Sequence, residues 1–418
     1  MKYFTVMILM SFFISACGPA KSESQPQTVV KTGIEVLQTR KFDILKGKKV
    51  GLITNQTAIN SNFESAIDLL YQCKDLELVA LYAPEHGVRG DYTAGEKVGN
   101  YKDEATGVQV YSLYGKYRKP NAEMLKNVEL LVFDIQDIGS RSYTYISTMG
   151  VCMEAAAEHK IPFVVLDRPN PLGGKRIEGN IAEEGFFSFV SQFAIPYVHG
   201  LTVGELAQLL NGEALLNGGV SCELTVVPME GWHRDMSFED TGLPWVLSSP
   251  HIPHAYSAAY YTATGVLGEL GVISEGVGYT LPFQVLAAPW IDAFTITKEM
   301  NALNLPGVTF RPIIFKPYYG KYQGQKMQGV QIHIQDYTKA PLLPIQFHFM
   351  EVHHRLYPDK DIFEYVLREN NIEAKECLFI DDSKEHVETA EKLGIQCIHL
   401  VNRDLCSVFN TPDLSVIF

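Results

Sequence analysis

"LELVALYAPEHGVRGDYTAGEKVG", residues 76–99, joins an apolar run to a tip that holds a proline, two glutamates, a histidine, an arginine and four glycines. A continuous apolar run of this length, bounded by turn residues, reads as a strand buried on both faces. Three more runs share the pattern: "KVGLITN" (49–55), "ELLVFDI" (129–135) and "IPFVVLD" (161–167). Between and after them, "SNFESAIDLLYQC" (61–73), "AEMLKNV" (122–128), "YTYISTMGVCMEAAAEH" (143–159) and "TVGELAQLLNGEALL" (202–216) have helical spacing, and "CELTVVPM" (222–229) reads as a further strand. Strands alternating with helices predict an open, parallel, Rossmann-like α/β sheet covered on both faces.

Ligands of such sheets bind beyond the carboxyl ends of the strands. The tips here are polar: "TNQT" (54–57), "APEHGVRG" (83–90), "DIQDIGSR" (134–141) and "DRPNPLGG" (167–174). Their convergence explains the crowded charge after residue 83, with glycines allowing close backbone approach. The turns of other chemistries are missing, since there is no GxGxxG after the first strand, no GxxxxGK[ST] and no GxSxG. No dinucleotide, other cofactor or metal is therefore expected; His86, Asp134, Asp137 and His199 lack the regular spacing of a metal site.

The cleft is instead rich in carboxylates: Glu85, Glu96, Asp134, Asp137, Asp167 and, after "NPLGGKRI", Glu178. Glycoside hydrolysis needs two carboxyl groups across the scissile bond. Glu85 and Glu178 are the expected catalytic pair, because each stands beside a glycine at the predicted rim. Asp134 and Asp167 close their strands and serve either substrate or neighbouring backbone and arginines. His86 either tunes Glu85, binds substrate or is structural, and Arg89 and Arg141 offer bidentate forks for a carboxylate. Trp232, Trp245 and Trp290 either stack on sugar rings or are buried.

The 418 residues are 46% hydrophobic and 20% charged, a globular composition with length for more than one domain. A net charge of −13, from 48 acidic against 35 basic residues, argues against nucleic acid as a partner. "MKYFTVMILMSFFISACGPAKSES" reads as an export signal over residues 1–16, with lipidation at Cys17 and a polar tether to residue 32. The expected location is a membrane-anchored lipoprotein, periplasmic or at the cell surface, touching the membrane by its anchor only. The seven cysteines suggest neither a zinc site nor a disulfide framework.

"GLITNQTA", "APEHGVRGDYTAGEKV", "VYSLYGKYRKP", "LVFDIQDIGSRSYTYISTMG", "VVLDRPNPLGG", "HGLTVGELA", "VVPMEGWHR" and "TGLPWVLSSPHIP" together resemble the exo-β-N-acetylmuramidase (NamZ-like, YbbC-like) family over about residues 33–357. The resemblance implies a Rossmann-like catalytic domain (33–250), a smaller α+β C-terminal lobe (251–357) and a cleft between them. It implies release of N-acetylmuramic acid from the non-reducing ends of peptidoglycan fragments, with Glu85 matching the "PEHG" glutamate and Glu178 the later "EG" glutamate. The substrate-binding set expected at the tips and motif blocks is Asn55, His86, Arg89, Asp134, Arg141, Tyr145, Asp167, Asn170, His199 and Glu275. A lactyl carboxylate would suit Arg89 or Arg141. The rival reading is a saccharide-binding lipoprotein that keeps the cleft without turnover. At 265–280, "GVLGELGVISEGVGYT" keeps Glu275 and Gly276 of the expected family stretch but loses its Asn and Arg, which points to a shifted substrate preference. Residues 358–418 resemble the end of a haloacid-dehalogenase-like phosphatase, with "LFIDDS" matching its metal-binding Asp381 and Asp382. The nucleophile half of that fold is missing, so the segment is expected to be a β-α-β fragment without phosphatase chemistry.

Overall fold

The structure, a computed structural model, describes residues 29–92, 99–360, 367, 373–381, 391, 392 and 394–399. Expectations for the export signal, Cys17, Glu96 and Asp382 lie outside the described residues.

Strands are β1 (Lys49–Thr54), β2 (Glu77–Ala83), β3 (Tyr101–Lys102), β4 (Gln109–Ser112), β5 (Leu130–Asp134), β6 (Phe163–Leu166), β7 (Glu178–Ile181), β8 (Pro196–Val198), β9 (Leu224–Val227), β10 (Val285–Ala288), β11 (Val308–Phe315), β12 (Met327–Ile334), β13 (Leu378–Asp381) and β14 (Gln396–His399). Helices are α1 (Gly33–Thr39), α2 (Ala66–Gln72), α3 (Tyr145–His159), α4 (Val203–Gly212), α5 (Ser257–Glu269), α6 (Ala293–Ala302) and α7 (Pro344–Leu356).

The main sheet runs β3-β4-β2-β1-β5-β6-β9, parallel throughout except for the β3 edge. Without that edge strand, its order is the doubly wound one, in which the chain builds outward from β1 on one side and then returns to start again at β5. The four apolar runs become β1, β2, β5 and β6, and their residues face two separate cores. Ile146, Met149, Leu206 and Leu210 of α3 and α4 cover one face of the sheet. Ile34, Leu37, Ile67 and Leu70 of α1 and α2 cover the other. Burial on both faces is why these strands carry no polar alternation.

Local signals set the helix starts. Thr202 and Glu205 form a reciprocal capping box at α4, and Ser65 Oγ accepts the Ile67 N–H at α2. The helix expected over residues 122–128 is only a set of turns, with the Leu125 N–H donating to the Asn121 carbonyl at 3.1 Å. Asn121 Oδ1 takes the Glu123 and Met124 N–H groups at 3.1 Å, local side-chain bonds that hold the segment as turns.

The second lobe is the antiparallel sheet β10-β12-β11 packed on α5, α6 and α7, with Leu267, Met300, Ile332 and Phe349 in its core. Ser140 and Thr262 hydroxyls meet at 2.8 Å across the lobes. Strands β13 and β14 pair in parallel.

Candidate active site

The carboxyl ends of the sheet strands open into a cleft of about 500 Å³ lined by Glu85, His86, Tyr114, Arg118, Ser142–Tyr145, Ser188–Val190, Ser249, Tyr261 and Glu269. It lies between the lobes. Tyr261 and Glu269 belong to α5, and the rest of the lining comes from the sheet side or its loops.

Glu85 stands two residues beyond β2. The backbone turns sharply there: His86 takes φ of +74° and Gly87 +78°, the left-handed region that bulky residues rarely occupy. A Cβ on Gly87 would lie 2.6 Å from the Tyr92 ring, so the tip closes only around glycine. His86 is buried, with Nδ1 at 3.2 Å from the Tyr92 carbonyl. Tyr114, at the β4 tip, hydrogen-bonds Glu85, and its phenol is pushed up by burial and by the Glu85 charge.

The second lobe contributes Glu269, the last residue of α5, to the same lining. It stands at the negative end of the helix dipole, where a carboxylate is unfavourable for stability. Glu275 lies close by. A Cβ on Gly268 would meet the Glu275 Cδ at 2.8 Å, so the carboxyl packs onto the helix backbone one residue before Glu269. Burial, followed by the charge of Glu269, pushes Glu275 up to about 7.

The cleft walls are tyrosines. Tyr143 and Tyr145 meet edge to face at 4.9 Å, and Tyr143 and Tyr261 at 5.7 Å. Their hydroxyls are fixed: Tyr143 donates to Ser248 Oγ at 2.8 Å, Tyr145 donates to the Ser248 carbonyl, and Tyr261 meets Ser142 Oγ at 3.1 Å. Asn55 is buried with its Oδ1 accepting from Thr57, and its side chain bears on the Tyr145 hydroxyl.

Several expected residues serve the scaffold instead. Glu178 does not line the cleft: it pairs with Arg176 and accepts the N–H groups of Leu342 (3.3 Å) and Leu343 (2.8 Å) at the entry to α7. Arg89 is spent on Asp68 and Asp103, with four donor contacts of 2.9–3.1 Å. Arg141 is buried and donates to the Asn180 and Ile195 carbonyls. The Arg89 fork is thus occupied, whereas Arg141 uses only Nη1 and its buried Nε has no partner among the described residues.

Asp134, fully buried, holds Arg168, whose Nη2 also reaches the Ile59 carbonyl. Asp167 caps α4 through Thr202 Oγ1 at 3.0 Å and the Gly204 N–H at 2.7 Å; burial still pushes it up to about 6. Asn170 ties the Leu201 carbonyl to the Leu172 N–H. His199 accepts the Leu201 N–H, and burial lowers it to about 4, so it is neutral. The tryptophans are also structural: Trp245 donates to the Ile252 carbonyl, Trp290 donates to His353, and Trp232 lies under Arg234, none of them in the cleft lining.

Of the expected set, the cleft therefore gathers Glu85, His86 and Tyr145, with Asn55 and Glu275 directly behind it. Sequence reasoning missed Glu269, Tyr114 and Arg118. Tyr114 and Arg118 lie within "VYSLYGKYRKP", a stretch whose tyrosines and basic residues have no carboxylate among them to single them out.

Fold and cleft together define a two-lobed α/β protein with the carboxyl chemistry of a glycosidase. Residues 50–256 match the family model "Exo-beta-N-acetylmuramidase NamZ, N-terminal", and residues 259–391 match its C-terminal counterpart. The chain belongs to the exo-β-N-acetylmuramidase NamZ family. It is 48% identical over 362 residues to the peptidoglycan beta-N-acetylmuramidase NamZ of Bacillus subtilis (strain 168), covering 86% of each chain. A crystal structure of a DUF1343 family protein from Bacteroides fragilis NCTC 9343 superposes with a TM-score of 0.77 at 55% identity, covering 81% of this chain and 86% of that one. A second DUF1343 protein from the same organism gives 0.61 at 26% identity, covering 88% and 99%.

Proposed function

We propose that this protein is an exo-acting β-N-acetylmuramidase that releases N-acetylmuramic acid from the non-reducing ends of peptidoglycan fragments, exported by residues 1–16 and anchored through lipidated Cys17. The family membership and the activity named for the Bacillus subtilis relative support the reaction. The observation that carries it is a tyrosine-walled cleft with Glu85 on the sheet side and Glu269 on the other lobe.

Cleavage of a glycoside needs a proton for the leaving oxygen and a carboxylate to stabilise, attack or activate water at the anomeric carbon. Glu85 and Glu269 are the two carboxyl groups that flank the bond. Glu275, holding a proton to about pH 7, keeps the pair at Glu269 from carrying two negative charges. The tyrosines pack the sugar faces.

The test is release of 4-nitrophenol from 4-nitrophenyl β-N-acetylmuramide and from the matching β-N-acetylglucosaminide. The expected result is muramide cleavage that falls at least about a thousandfold in Glu85→Gln. A folded wild-type protein that binds muramic acid and cleaves neither substrate would establish a binding protein instead.

A further inference from the structure

Arg118 is the guanidinium in the cleft lining, whereas the two arginines expected at the strand tips lie outside it. Arg89 is locked between Asp68 and Asp103, and Arg141 is buried on backbone carbonyls. Arg118 is exposed on the segment after β4. Among the described residues, no carboxylate or carbonyl takes its N–H groups within hydrogen-bonding distance.

Its position is nevertheless fixed. The guanidinium carbon lies 4.2 Å from the centre of the Phe189 ring. Phe189 and Val190 form the tip of a tight turn closed by reciprocal bonds between Ser188 and Ser191, at 3.2 and 3.0 Å. A guanidinium held against an aromatic ring keeps N–H groups with which to grip a carboxylate bidentately. Tyr114 shares the cleft lining with both Arg118 and Glu85. The cleft therefore presents a carboxyl group and a guanidinium held against an aromatic ring.

On the reading that the substrate is a muramide, which this inference adopts, the sugar offers a matching pair of groups. The glycosidic bond is at C1, and the lactyl ether that separates muramic acid from glucosamine hangs from C3 of the same ring. We propose that Arg118, oriented by Phe189, binds the lactyl carboxylate and so selects muramic acid over glucosamine while Glu85 faces C1. The chain's other acidic groups at the cleft, Glu85 and Glu269, would repel that carboxylate elsewhere, which makes the arginine the determinant of register as well as of affinity.

The test compares free N-acetylmuramic acid with its lactyl methyl ester, by calorimetry on the full chain and by hydrolysis of the corresponding 4-nitrophenyl glycosides. Wild-type protein is expected to prefer the acid by about 10- to 100-fold, the range of a charge-assisted bidentate contact. Arg118→Ala should bring that preference to near unity, mainly by raising the Kd and KM for the acid. Arg118→Lys should restore part of it, and Phe189→Leu should reduce it several-fold. An acid preference that persists in Arg118→Ala would overturn the proposal. Because binding is read separately, a protein with Arg118-dependent binding and no hydrolysis would uphold this inference and reject the glycosidase reading. Hydrolysis with no acid preference in the wild type would do the reverse.

Discussion

Glu275 shows how one residue can report on the chemistry of its neighbour. Its folded value of about 7 comes from burial first and then from Glu269, so it loses its proton just where neutral pH begins. Above that pH two carboxylates and the negative end of α5 crowd one side of the cleft. We expect wild-type kcat/KM to decline as pH rises through about 7. Glu275→Gln, which imitates the protonated side chain at every pH, should hold activity level from about pH 6 to 8. A merely structural Glu275 would lower activity in the variant without changing the shape of the profile. Glu85 was legible in the sequence because it follows an apolar strand directly and has no helical face to belong to. Glu269 was not, since "GELG" reads as the fading end of an amphipathic helix, and only the docking of the second lobe brings it into the same lining as Glu85. Arginines mislead for a related reason: Arg89 and Arg141 stand at the strand tips, but their partners Asp68, Asp103 and the β7–β8 carbonyls come from elsewhere in the chain.

At the scale of elements, the apolar runs predicted β1, β2, β5 and β6 because strands buried on both faces leave continuous hydrophobic sequence. The edge strand β3 and its neighbour β4 are two and four residues long and only partly buried, so they leave too little pattern to read. The strand β7 contains Glu178, which its glycine neighbour made resemble an active-site tip. Its carboxylate instead joins Arg176 to the backbone N–H groups that precede α7, fastening the hairpin β7–β8 to the second lobe. Replacing it with alanine strands a half-buried guanidinium and two N–H donors at once. Glu178→Ala should cost about 2 kcal/mol, seen as a fall in Tm. The kcat/KM of the folded fraction should change by less than about threefold. A loss of several orders of magnitude with unchanged Tm would return Glu178 to the catalytic machinery.

The whole molecule carries an excess of buried titratable groups whose signs oppose one another. Burial raises Asp137 and Glu275 to about 7 and Asp167 to about 6, so the native state holds protons that the unfolded chain releases near pH 4. Their stabilising contribution is present at low pH and is lost as pH rises through 6 to 7. His199 and His353, both lowered to about 4 by burial, act in the other direction: their contribution is present above about pH 6.5 and disappears as pH falls toward 4. Between about pH 4.5 and 6 the three carboxyls outnumber the two histidines by one proton, and above 6.5 only the carboxyls still titrate. The contribution of these five groups to stability should therefore decline from pH 5 to 7.5. Asp137 is the clearest contributor, because its Oδ2 accepts the Gly139 N–H at 2.7 Å while its buried Oδ1 has no donor among the described residues. A protonated carboxyl tolerates that site better than an anion. Asp137→Asn removes the titration while keeping the shape, so its stability curve should be flatter than that of the wild type by about 1.4 kcal/mol per pH unit within the window. Denaturant unfolding at half-unit pH steps would measure it. Parallel curves for the two proteins would show that Asp137 is ionised in the fold and that its unpaired oxygen finds a donor from solvent.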